Sequence, residues 1–147
     1  MKKVIMLFVI SCFTIATINA NPVIEINEKV KKSFKETFPE AKDVSWYDNG
    51  DTYRVVFKRN GIDNRVDYST DGTVLATTRY YEGKYLPAFL LSRLNKKFAD
   101  KKIHLVTELN NENGLEYHIT LYDAKKWYVV KAYPGGSMYV YDKYNKQ

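Results

Sequence analysis

Two histidines, His104 and His118, are the only ones in the chain. A zinc site needs three or four ligands at suitable spacing, and no His-x-x-x-His pattern or helical Glu-plus-His pair accompanies them. Each alternates with apolar neighbours, which places both on the face of a strand. Asp48, Asp51, Asp63 and Asp67, with Glu108 and Glu112, are the carboxylates that could share acid–base work. Such work requires burial and a pair of pKa values pushed apart. Most of these residues fall in turn-like segments, where a short acidic side chain bonds nearby backbone N–H groups. Asp48 to Asp51 lacks the ligand spacing of a calcium loop. No serine sits in a nucleophile elbow, and Gly135-Gly136 reads as a hairpin turn, not a phosphate cradle. The residues therefore predict no enzyme, no metal and no cofactor.

The positive signal is aromatic. The chain holds thirteen Tyr, seven Phe and two Trp. Aromatic residues suit a pleated, half-buried surface, so a Tyr-rich strand can be nothing more than a good strand. An exposed aromatic patch instead marks a binding surface, and Tyr and Trp dominate interface hot spots. Tyr122, Trp127, Tyr133, Tyr139 and Tyr141, with the basic Arg54 and Lys58, are the candidate binding face. Another envelope protein, a peptide or a glycan would all use such residues.

These side chains need elements to position them. Asn27 can cap a helix in which Val30, Phe34 and Phe38 recur at i, i+4 and i+8, stopped by Pro39. Strand-like runs follow at Val44 to Tyr47, Thr52 to Lys58, Ile62 to Tyr68 and Thr73 to Tyr81. The segments Asp48-Asn49-Gly50-Asp51, Arg59-Asn60-Gly61 and Ser69-Thr70-Asp71-Gly72 separate them. Asn-Gly and Asp-Gly between alternating runs are hairpin signals. A second helix is predicted over Leu86 to Phe98, with Pro87 in its first turn. Strands are then predicted at Lys102 to Leu109, Leu115 to Tyr122, Lys126 to Tyr133 and Ser137 to Tyr144.

The halves align. An offset of sixty puts Val30, Phe34 and Phe38 on Leu90, Leu94 and Phe98; an offset of sixty-four puts Tyr53, Val55 and Phe57 on Tyr117, Ile119 and Leu121. The expected fold class is therefore α+β: a tandem duplicated helix-plus-four-stranded antiparallel unit (αββββ twice), with the helices on one face of the sheet. A closed barrel is the alternative. The repeats would span about 24–83 and 84–147, together one domain over 21–147. Period two sends Tyr53, Val55, Phe57, Val66, Tyr117, Ile119, Leu121 and Val130 toward the helices. The candidate face then lies on the opposite side, basic in the first half and aromatic in the second.

Residues 1–20 read as a cleavable signal peptide: Lys2 and Lys3, an apolar stretch from Val4 to Ile18, and the small Ala20. The stretch is shorter than the roughly 20 residues a bilayer span needs, so no transmembrane segment is expected after cleavage. Val9-Ile10-Ser11-Cys12 resembles a lipobox, which makes a lipid anchor on Cys12 the alternative. Cys12 is the only cysteine, so the body must fold without disulfides. The expected location is periplasmic or secreted. Formal net charge is +6, two units of it in the leader. This mild excess favours acidic partners weakly through steering. The charges are dispersed, and no nucleic-acid arm is indicated.

The strand Tyr53-Arg54-Val55-Val56-Phe57, its counterpart Tyr117-His118-Ile119-Thr120-Leu121 and the segment from Arg65 to Val74, with its Asp71-Gly72 turn, resemble the PepSY-like family of exported bacterial proteins. The resemblance covers residues 24–144. That family is similar in fold to the β-lactamase inhibitory protein, a tandem repeat whose sheet presents a concave face to the enzyme it blocks. The resemblance implies an exported, non-catalytic protein, ligand- or protein-binding and inhibitor-like. A small-ligand or glycan binder is the alternative, and an envelope hydrolase with an unrecognised site a further one. The inhibitor's disulfides are absent here, and no motif places its contact residues in this chain.

Overall fold

A computed structural model describes residues 25–146. The expected signal peptide and Cys12 lie outside the described residues. Helix α1 (Glu28–Thr37) is followed by β1 (Lys42–Asp48), β2 (Thr52–Arg59), β3 (Ile62–Ser69) and β4 (Val74–Tyr81). A single 3-10 turn at Gly83–Tyr85 leads to α2 (Ala88–Lys97), β5 (Lys102–Asn111), β6 (Gly114–Tyr122), β7 (Lys126–Ala132) and β8 (Met138–Asn145). The Asn27 side chain accepts from the Lys29 backbone N–H at 2.8 Å and so satisfies an otherwise orphaned donor of the first turn. Among the described residues no helix is long and apolar enough to cross a membrane.

The expected fold class needs correction. The strands do not divide into two αββββ units; all eight form one antiparallel sheet in chain order. The joining pair is β4 with β5, where Ala76 to Tyr81 runs against Asn111 to Val106. Two separate four-stranded sheets would leave the backbone groups of β4 and β5 as bare edges, and pairing them removes that cost. The fold is therefore a single, mostly β layer carrying two short helices. Among the described residues no pairing joins β1 to β8, so the eight-stranded sheet is open there and not a barrel.

Both helices pack on the same side. Val30 and Phe34 of α1 enclose one core with Val55, Phe57, Val66 and Tyr68. The Phe34 ring meets Phe57 and Trp46 edge-on at 5.1 and 5.2 Å, a favoured aromatic geometry. Leu90 and Leu94 of α2 enclose the other with Val106, Ile119, Leu121 and Val130. Near the seam between the cores, Glu108 accepts from Arg79 Nη1 at 3.0 Å and from the Tyr81 hydroxyl at 2.6 Å. Gly72 has φ +93° and sits against α1, where a Cβ would come within 3.1 Å of the Lys29 carbonyl oxygen. Only glycine closes that turn without strain.

Candidate functional site

Among the described residues, the helices leave the other side of the sheet uncovered. Opposed residues in an antiparallel ladder share a face, so the register identifies its members. Tyr47 opposes Arg54, which opposes Asp67; Arg65 opposes Thr78, which opposes Leu109. His118 opposes Lys131, Tyr122 opposes Trp127, and Lys131 opposes Tyr139. The helix-free face thus runs from β1 to β8 and carries three groups of polar and aromatic side chains.

The first group lies on β6 to β8. Lys131 Nζ and His118 Nε2 each lie 2.8 Å from a different oxygen of Glu116. Burial alone would push the Glu116 carboxyl up, but these two partners outweigh it and hold the group below its ordinary value. Lys131 Nζ also lies 5.9 Å from the Tyr133 ring centroid and 5.8 Å from that of Tyr141. Tyr139 and Tyr141 remain 46% and 61% exposed. A fixed ammonium–carboxylate pair thus stands beside two open phenol rings.

The second group is more enclosed. Trp127 meets His104 edge-on at 5.0 Å and tilts against Tyr122 at 5.3 Å. Lys146 Nζ sits 4.3 Å from the Tyr122 ring centroid and 4.9 Å from that of Trp127, and it donates to the Asp123 carbonyl at 2.7 Å. Tyr122 and Trp127 are half-buried. Of the expected aromatic residues, Tyr139 and Tyr141 are open, whereas Trp127 and Tyr122 share a packed cluster roofed by a lysine. Lys146 was not among the sequence candidates, and no local spacing links it to Trp127.

The third group is on β2 and β3. Arg54 bonds Asp67 through Nε at 2.6 Å and Nη2 at 3.4 Å, and Arg65 Nε lies 3.8 Å from the other Asp67 oxygen. The Asp67 side chain is 17% exposed. Lys58 is exposed and pairs at 3.8 Å with Asp63. The sequence reading singled out Arg54 and Lys58 but passed over Arg65 and Tyr80. Alternation along β3 and β4 would have placed both on this face.

Two of the carboxylates weighed for acid–base work are engaged in other contacts. The Asp48 carboxylate accepts from the Gly50 backbone N–H, a turn-forming role. Glu108 is committed to Arg79 and Tyr81. Among the described residues no three His, Cys, Asp or Glu side chains group as metal ligands.

No family profile and no curated protein matches the chain. Solved structures do. A BLIP-like protein of Bacteroides fragilis shares 17% identity at a TM-score of 0.66, covering 84% of this chain and 89% of that one. A protein of Bacteroides eggerthii, assigned provisionally to the periplasm, shares 21% identity at 0.64, covering 82% and 89%. A DUF2874 family protein of Bacteroides ovatus shares 19% identity at 0.63, covering 80% and 86%. At such identities the likeness is one of fold, and that fold is BLIP-like.

Proposed function

We propose that this chain is an exported, non-catalytic protein-binding module of the cell envelope that docks its partner on the helix-free sheet face. The observation that carries this reading is the pairing of exposed Tyr139 and Tyr141 with the fixed Lys131–Glu116–His118 network on one open surface. Rigid aromatic rings beside oriented charges are the chemistry of interface hot spots. The likeness to a BLIP-like protein and to a protein assigned provisionally to the periplasm supports an exported binder. The strand motifs at Tyr53 and Tyr117 support a place beside the PepSY-like family, with periplasmic or secreted location.

The test is retention of a protein from envelope extract by the immobilised chain, compared with its Tyr141→Ala and Tyr139→Ala variants. Retention lost in both variants supports the reading. Retention unaffected by either rules out this part of the face. A glycan array run in parallel separates a glycan binder, and turnover of peptide, ester or glycan substrates would make the protein an enzyme instead.

A further inference from the structure

At the end of the helix-free face opposite β8, a shallow cleft of about 410 Å³ is lined by Tyr47, Arg54, Val56, Asp63, Arg65 and Tyr80. Its charges do not balance. Lys58 and Asp63 form one pair, but two guanidiniums, Arg54 and Arg65, share the single carboxylate of Asp67. Arg54 takes both Asp67 oxygens at 2.6 and 3.4 Å. Arg65 is left at 3.8 Å, beyond hydrogen-bond reach, and its buried Nε has no partner among the described residues. Directly across the ladder, Thr78 is only 3% exposed although it lies on the helix-free face, and its hydroxyl too has no partner. Buried polar atoms are normally satisfied. Two buried orphans on adjacent strands thus lie beneath a guanidinium whose charge is only partly matched.

We propose that this cleft is a carboxylate pocket that receives one Asp or Glu side chain of a protein partner docked on the helix-free face. The inference rests on the docking reading above and specifies one anchor of it. With Lys58 beside the cleft offsetting Asp63, the cluster carries one more positive than negative charge, which matches a monoanion and not a phosphate dianion. A guanidinium fork matches the two oxygens of a carboxylate. The Arg65 side chain keeps 31% exposure, so an acid entering from the cleft can reach the guanidinium although Nε is covered. Tyr47 and Tyr80 flank the entry with phenol hydroxyls able to donate further bonds. The cleft is shallow and lies on a broad sheet, so the acid must arrive on a partner surface that covers its surroundings.

The probe is N-acetyl-aspartate N-methylamide, titrated into the isotopically labelled protein and followed by NMR at the Arg Nε–H and backbone amide signals. Saturable shifts are expected at Arg54, Arg65 and Thr78, with none for the asparagine analogue and at least about tenfold weaker binding of inorganic phosphate. Arg65→Gln should weaken the aspartyl probe about tenfold or more, the value of a charge-assisted bond. Asp67→Asn, which frees Arg54, should tighten it about threefold or more. Should Arg65→Gln fail to fold, the required tightening by Asp67→Asn still decides the matter. Absent saturation, equal binding of phosphate, or no tightening by Asp67→Asn overturns the pocket. A protein retained through Tyr141 while the titration stays silent overturns the pocket alone. A saturable pocket on a face that retains no protein overturns the docking reading instead.

Discussion

Trp127 meets His104 edge-on with ring centroids 5.0 Å apart, across the bulge that interrupts the β5–β6 register near Leu105. Lys146 closes the cluster from above. Trp127 is thus a packed residue of an otherwise open face, while Tyr141 on the neighbouring edge strand is 61% exposed. The two should respond differently to truncation. Trp127→Ala removes a half-buried indole and its aromatic contacts and should cost about 2 kcal/mol, below the 3–5 typical of a fully buried ring. Tyr141→Ala should stay within about 0.5 kcal/mol. Urea unfolding of both variants measures this, and equal losses would contradict the assignment.

Glu108 joins Arg79 of β4 to Tyr81 of the same strand from across the β4–β5 pair. Burial and the Glu108 bond together push the Tyr81 phenol well above its ordinary value. Glu108→Ala strands both donors and should cost about 2 kcal/mol, whereas Tyr81→Phe removes one bond and should cost about 1 kcal/mol. Arg79 is 43% exposed, so water recovers part of its loss. Chemical denaturation of the two variants should rank them in that order.

Acid stability should be set in part by two turn carboxylates. Asp123 accepts from the Tyr128 hydroxyl and from the backbone N–H groups of Lys125 and Lys126, and these bonds depress its pKa strongly from 3.8. Asp71, bonded by Ser69 and Thr73, is held at about 2. Both folded values lie below the unfolded one, so the unfolded chain takes up protons first as pH falls. Their stabilisation is complete above about pH 4 and is lost as the pH drops toward 2 and below. Asp123→Asn should flatten the acid limb of a melting-temperature profile over that window and leave its slope near neutrality unchanged. An acid limb as steep as that of the parent protein would refute the role.

Export is read at the mass spectrometer. Protein recovered from the envelope should have the mass of a chain beginning at Asn21. A chain beginning at a lipid-bearing Cys12 would instead place the protein at a membrane surface.

Turn positions and strand faces were legible in the sequence because they are local. Hairpin turns need Asn-Gly or Asp-Gly where φ is positive, and Asn60, Gly61 and Gly72 adopt such angles. A pleated strand sends successive side chains to opposite sides, so Val66 and Trp127 could be assigned to opposite faces from spacing alone. Those rules pair strands across a hairpin turn and say nothing about which strands meet across a longer connection. The offsets that align the two halves compare β2 with β6, yet the fold class turned on β4 meeting β5, whose pairing satisfies backbone groups that no side-chain pattern records.

What the sequence by itself determined is the set of side chains available on the helix-free face, since alternation is a property of the chain's own geometry. What only the tertiary structure decided is which of them are free. The Asn60-Gly61 hairpin sets Asp67 opposite Arg54, but that the Asp67 carboxylate takes both bonds from Arg54 and leaves Arg65 at 3.8 Å is a matter of packing. Lys146 roofs Trp127 from beyond the end of β8. Arg65 and Thr78 lie opposite each other through the β3–β4 ladder, and each has a buried polar atom with no partner among the described residues. Exposure and unmet hydrogen-bonding capacity depend on packing, on bulges and on the one pairing that no hairpin turn sets, β4 with β5, and no local window of residues contains these.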